Sequence, residues 1–216
     1  MPNRLISRIQ APALPVPPSG DPSEYLSSLN NILRLFFNLT TGALNLVIGS
    51  NGGRFLEKPN GLFFSTTDQP IAVAGTAQVV SFENTYLTGG MSINGGSDSQ
   101  ITVTYSGVYN FQFTAQLESS SASTKNVHLW ISRDGVDVGY SAKHVILQGS
   151  SDITTADWNF NIDLQAGSYI EMKWVSDDID TSLHAEAPSS PVPGEPSAVI
   201  AVTFVSVLPE TLPTPP

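Results

Sequence analysis

The chain has 216 residues, with 9 Lys and Arg against 19 Asp and Glu, and so a formal net charge of −10. That balance excludes a protein that coats nucleic acid, which needs an excess of basic side chains to neutralise phosphates. Cysteine is absent, which removes disulfides, thiolate zinc sites and cysteine nucleophiles.

Only 13% of residues are charged, while Gly and Pro number 17 and 16, the profile of a turn-rich folded chain. The charge is unevenly spread: residues 1–58 hold five bases and three acids, residues 59–216 four bases and sixteen acids. The two parts therefore face different surroundings. No apolar run approaches the roughly 18 residues of a membrane span, and the N-terminus lacks the apolar centre of a signal peptide. Neither membrane insertion nor export is expected.

Residues 1–20 contain Pro2, Pro12, Pro15, Pro17 and Pro18, which withhold backbone donors and impose extended conformations. Such a segment builds no core. Its apolar side chains Leu5, Ile6, Ile9, Leu14 and Val16, with Arg4 and Arg8 between them, suit an arm that orders against a partner; a disordered tail is the alternative. Asp21-Pro22-Ser23-Glu24 then supplies a helix start: an N-cap acceptor, a proline at the first helical position and a glutamate three residues after the cap. Behind it Leu26, Leu29, Leu33, Phe36, Thr40, Ala43 and Val47 recur at alternating spacings of three and four, which predicts a coiled-coil helix over 21–48. The flanking Tyr25, Ile32, Phe37 and Leu39 widen the stripe beyond a two-stranded seam and favour three strands. A helix lying on its own domain is the competing reading. Gly42 and the glycines at 49, 52 and 53 are expected to interrupt or end it, and residues 49–75 read as a linker.

From residue 76 to 208 the period is two. Ile101, Val103 and Tyr105 alternate with polar residues, as do Tyr109, Phe111, Phe113, Ala115 and Leu117 after Gly107. Further strands are expected at 79–83, 127–132, 136–147, 153–164, 169–176 and 199–208. Seven or more strands without an intervening helix predict an antiparallel sandwich. Asp134-Gly135 fits a two-residue type I′ hairpin turn. Residues 187–196 form a proline-rich surface loop, and 209–216 a proline-rich tail. Core packing is the expected role of Trp130, Trp158 and Trp174, sugar stacking the alternative.

The only imidazoles are His128, His144 and His184, and none sits in a nucleophile, zinc or phosphate-loop motif. No catalytic residue and no enzyme activity is expected. Asp177, Asp178 and Asp180 offer oxygen ligands for a hard cation such as Ca²⁺, without the glycine and distal glutamate of an EF-hand loop. Solvated loop charge is the competing reading, and no other cofactor is implied.

The segment Gln100 to Leu117, QITVTYSGVYNFQFTAQL, resembles the C1q/TNF-like jelly roll, in which a G-x-Y-x-F core strand follows a tight turn; here Gly107, Tyr109 and Phe111 match. VHLWISRDGVDV at 127–138 is similar to that family's hairpin with a two-residue turn, and NIDLQAGSYIEMKW at 161–174 to its leucine, glycine and hydrophobic strand late in the fold. The resemblance covers 76–208. It implies a jelly-roll β-sandwich in a compact homotrimer on an N-terminal stalk, with Tyr109, Phe111, Phe113 and the three tryptophans in the core. The family's secreted eukaryotic members carry cysteines or collagen repeats, and this chain has neither.

The arm followed by Asp21, Pro22, Tyr25, Leu26, Leu29 and Leu33 resembles small virion proteins of tailed bacteriophages. That resemblance implies a virion structural protein made in the bacterial cytoplasm: a trimeric head fibre or capsid decoration whose arm grips a capsid or tail protein. The alternative is a tail fibre or receptor-binding module that recognises a host surface glycan or protein.

Overall fold

The computed structural model describes residues 24–48, 58–93 and 96–208. They fall into two units, a single helix and a β unit spanning Lys58–Leu208. The helix, α1 (Glu24–Ile48), runs through Gly42 without a break; a methyl group at that glycine would meet nothing within 4 Å. The capping residues Asp21 to Ser23, the arm at 1–20 and the tail at 209–216 lie outside the described residues.

The β unit is mainly strand, in two antiparallel sheets consistent with a β-sandwich. Its elements are β1 (Asn60–Ser65), β2 (Gln69–Pro70), β3 (Gln78–Val79), β4 (Asn84–Gly89), β5 (Met91–Ile93), β6 (Ile101–Val103) and β7 (Gly107–Ser119). They continue with β8 (Lys125–Arg133), β9 (Val136–Asp137), β10 (Lys143–Leu147), β11 (Asp152–Leu164), β12 (Tyr169–Ser176), β13 (Thr181–Leu183) and β14 (Ala198–Ser206). In the first sheet β4–β1–β14–β7–β11 lie side by side, β13 continues alongside β7 beyond β14, and β2 pairs β13. The second sheet is β10–β8–β12–β6–β5, with β3 beside β12 and β9 beside β8.

Alternation explains the core. In β7 the odd residues Tyr109, Phe111, Phe113, Ala115 and Leu117 are all buried, and in β12 the even ones, Ile170, Met172 and Trp174. Tyr109 and Phe204 meet edge to face at 5.5 Å, and Phe113 meets Phe82 at 6.4 Å in the same way. Burial pushes the Tyr109 hydroxyl up from its ordinary pKa, and that hydroxyl donates to the Tyr105 carbonyl at 2.6 Å. Gly107 is required by the same packing: a Cβ there would lie 2.3 Å from the Phe204 ring. The Asp134-Gly135 turn forms as expected, with φ of 50° and 81°, between β8 and β9.

Several expectations need correction. Residues 58–75 are not linker: β1 is an interior strand, flanked by β14 and β4, and the β unit starts at Lys58. The expected strand at 136–147 is two strands separated by an excursion in which Tyr140 adopts a φ of 61°. The strand at 79–83 is reduced to Gln78–Val79. Trp130 is half-buried on the outer face of the second sheet, not in the core, because it shares its parity with His128 while Val127, Leu129 and Ile131 point inward. Trp158 shares its face with core residues but stays half-buried, since β11 is the last strand of its sheet. Trp174, Tyr109, Phe111 and Phe113 are fully buried. The loop at 187–196 is an ordered miniature hairpin, bridged at Glu186 to Glu195 and at Ser189 to Val192.

Candidate functional site

Ten of the 25 helix residues are polar, and six of them fall on one line. Ser27, Asn31, Arg34, Asn38, Thr41 and Asn45 repeat at spacings of four and three, which places them in one narrow stripe. Nine large apolar side chains are exposed over the rest of the circumference. The seam residues Leu26, Leu29, Leu33 and Phe36 are 38–62% exposed, and Thr40 and Ala43 are exposed with them; the side chain of Val47 is outside the described set. Ile32, Phe37, Leu39 and Leu44 flank that seam on both sides. Burying one such side chain is worth about 1.5–3 kcal/mol. Among the described residues no helix is long and apolar enough to cross a membrane.

The β unit receives and releases the chain at one end. Asn60 opens β1 opposite Thr203, which in turn faces Asn110, and Ser206 faces Val108. The turns around 104–106 and 165–168 occupy this end, joined by Gly167 N–H to the Val103 carbonyl at 2.8 Å. The loops 120–124, 148–151 and 177–180 occupy the other end, tied by Ser120 N–H to the Asp180 carbonyl at 2.9 Å and Ser151 N–H to the Ser119 carbonyl at 2.7 Å.

The outer face of the first sheet carries little charge. Its registered rows read Phe64, Val199, Thr114 and Leu62, Ala201, Gln112, followed by Asn60, Thr203, Asn110. Leu62, Phe64, Val199 and Ala201 are half-buried, and Leu87 beside them on β4 is exposed. Next to them Asn110 donates its amide to the side-chain oxygens of Asn159 and, at 2.9 Å, Asn161.

At the far end the three aspartates separate rather than converge. Asp177 accepts from the Asn126 side chain at 2.8 Å and from its main-chain N–H at 2.9 Å. Burial would raise its pKa, but these bonds hold it below the ordinary 3.8. Asp178 pairs with Lys125, a lysine only 2% exposed, which also donates to Ser123 Oγ at 2.6 Å. Asp180 is exposed, and its main chain donates to Asp178 at 3.1 Å. Among the described residues no group of three His, Asp or Glu side chains is arranged to hold a metal ion.

The Lys125 ammonium, then the N–H of Asp180, hold the Asp178 carboxyl below 3.8. Stability from this depressed carboxyl is present above the unfolded value and is lost as pH falls through the folded one. Asp178→Asn leaves Lys125 buried without its counter-charge. The variant is therefore expected to melt below wild type at pH 7, with the gap closing as the pH is lowered below 3.8. Thermal melts across pH 2–7 check this; a gap that is constant with pH contradicts it.

Two histidine sites were not foreseen as sites. His184 Nδ1 lies 3.1 Å from Glu118 and 3.3 Å from Asp68, outside hydrogen-bonding geometry to either, and Nε2 lies 3.3 Å from Glu186. His128 and His144 face each other across β8 and β10, both exposed, with rings stacked 4.4 Å apart at 13°. On the same outer face Trp130 bonds to Asp137, which Lys173 also grips at 2.8 Å; the Lys173 bond, then that of Trp130, lowers the Asp137 pKa. A shallow pocket of about 320 Å³ opens beside this hairpin, lined by Arg133, Val136, Asp137, Val138, Gly139, Ile162 and Asp163. It holds one ion pair, Arg133 to Asp163 at 3.1 Å, and no histidine.

No protein-family model matches this chain, and no curated protein matches it.

Proposed function

We propose that the protein is a non-enzymatic structural component of a bacteriophage virion: a trimeric head fibre or capsid decoration, anchored by its N-terminal arm and displaying a jelly-roll knob. The observation that carries this reading is the helix. A stripe of exposed apolar side chains on both flanks of a heptad seam fits three parallel copies, in which the positions beside the seam are also covered.

The β unit supports the same reading in two ways. The orders β1–β14–β7–β11 and β6–β12–β8–β10 send β6 and β7, β7 and β8, β10 and β11, and β11 and β12 to opposite sheets, as the two Greek keys of a jelly roll would require. Its outer face, apolar around Leu62, Phe64, Val199 and Ala201 and carrying Asp157 and Asp163 only on the edge strand β11, suits side-by-side packing of subunits. Entry and exit of the chain at one end leave the loops at 120–124, 148–151 and 177–180 free at the other. The virion assignment itself rests on the resemblance of the arm and helix start to small phage virion proteins.

The test is attachment. Removing residues 1–20 is expected to leave the oligomer intact and to abolish incorporation into particles, read by an antibody against the β unit on purified virions. Attachment that survives the deletion contradicts the anchor. Label on the tail with none on the head moves the protein to the alternative, a tail fibre that contacts a host glycan or protein.

A further inference from the structure

We propose that His128 and His144 form a two-imidazole site for a borderline divalent transition metal, Zn²⁺ or Ni²⁺, on the outer face of the second sheet. The two residues are directly opposite across β8 and β10, so their side chains leave the same face of the sheet at neighbouring positions. Both are exposed, and their rings lie 4.4 Å apart and nearly parallel. Two nitrogens on one zinc at about 2.0–2.1 Å each lie within about 4 Å of one another. Stacked rings hold their in-plane lone pairs side by side rather than converging on one point, so binding requires the exposed His128 ring to swing out of the stack toward a metal held by His144.

A second feature prepares one of the ligands. Asn126 gives its amide NH₂ to the Asp177 carboxylate at 2.8 Å, and a carboxylate held ionised accepts only. The orientation of the amide is thereby fixed, with its oxygen 3.0 Å from His144 Nε2. An oxygen there demands a proton on Nε2, which leaves the lone pair of the neutral ring on Nδ1, free to bind a metal. A carboxylate and an amide behind an imidazole are the kind of outer support that orients metal-binding histidines and sets their tautomer. His144 is thus held in one donor form, while His128 is free to turn towards it.

The chemistry selects the cation. Nitrogen donors favour zinc, nickel and copper over calcium or magnesium, which take oxygen. The third histidine belongs elsewhere, on the stretch that follows β13 in the first sheet, among Asp68, Glu118 and Glu186. With two protein ligands the remaining positions are filled by water, and binding joins β8 to β10 and so raises the melting temperature by mass action.

The experiment uses the full, untagged chain stripped of metal, titrated with ZnCl₂ and with NiCl₂ by calorimetry and followed by thermal melting, with CaCl₂ as a control. His128→Phe and His144→Phe keep a stacked ring pair while removing the nitrogens, so a fold defect is read from their metal-free melts. Wild type is expected to bind and to melt higher with zinc or nickel. Each Phe variant is expected to lose at least tenfold in affinity, and Asn126→Leu about tenfold through the lost orientation of His144. His184→Asn is expected to titrate like wild type. Superimposable titrations of wild type and both Phe variants, loss of binding in His184→Asn, or no metal-dependent rise in wild type each overturn the proposal.

Discussion

Phe36→Asp is expected to reduce the protein in solution from three chains to one. Phe36 lies midway along the helix seam and is 62% exposed in the single chain, with Phe37 packed against it edge to face at 5.9 Å. In a three-helix bundle the 36 positions converge, so the variant would bring three carboxylates into an apolar layer. Burying charge there costs several kcal/mol, about what the lost phenyl contacts add again. Because the β unit has its own core, its near-ultraviolet signal is expected to persist while the oligomer dissociates. Sedimentation velocity of the variant beside wild type reads the change; identical sedimentation of the two places the helix outside the oligomer core.

Trp174→Ala is expected to have the largest effect on the β unit itself. Trp174 is 1% exposed in β12, the strand at the middle of the second sheet, with Leu129 opposite it on β8 and Gln78 on β3. Truncating a buried tryptophan removes its transfer energy and leaves a cavity, together about 3–5 kcal/mol. For a unit of this size that lowers the melting temperature by on the order of 10 °C. Trp130→Ala makes the contrast: on the outer face it loses only half-covered surface and a bond to Asp137, and a much smaller shift is expected. Scanning calorimetry of both variants checks the pair; equal shifts contradict the placement of the two rings on opposite faces.

That contrast also shows what the sequence could and could not tell. The long strands were legible because alternation is strict where one face is core: Gly107–Ser119, Asp152–Leu164 and Tyr169–Ser176 agree with the pattern to within two residues. The same parity, applied to VHLWIS, already sets Trp130 with His128 and against Val127, Leu129 and Ile131. Taking tryptophan as core by residue type overrode it. The strand Asn60–Ser65 was hidden for the opposite reason. Leu62, Phe63 and Phe64 are apolar in succession because Phe63 enters the core while its neighbours lie half-covered on the outer face, so no alternation marks them. Asn84–Gly89 is a mostly exposed edge strand and carries no apolar face at all.

The histidine pair was beyond reach of any sequence pattern. Continuing the register of the Asp134-Gly135 hairpin, where Arg133 faces Val136, would set Ser141 opposite His128. The excursion after β9 shifts the pairing by three residues, and only this brings His144 opposite. Its geometry depends on the φ of 61° at Tyr140 and on Ser141 Oγ, which accepts from Ile131 N–H at 3.2 Å and donates to the Val138 carbonyl at 2.8 Å. The helix, by contrast, is legible in the three-and-four spacing from Leu26 to Val47, and what the structure adds is how much of its apolar surface is exposed.

Three copies joined along that surface are the core of the account, and the mass of the intact chain in solution tests this most directly. Light scattering coupled to size-exclusion chromatography at micromolar concentration is expected to return three times the 23.0 kDa of one chain. A single species of 23.0 kDa would contradict it.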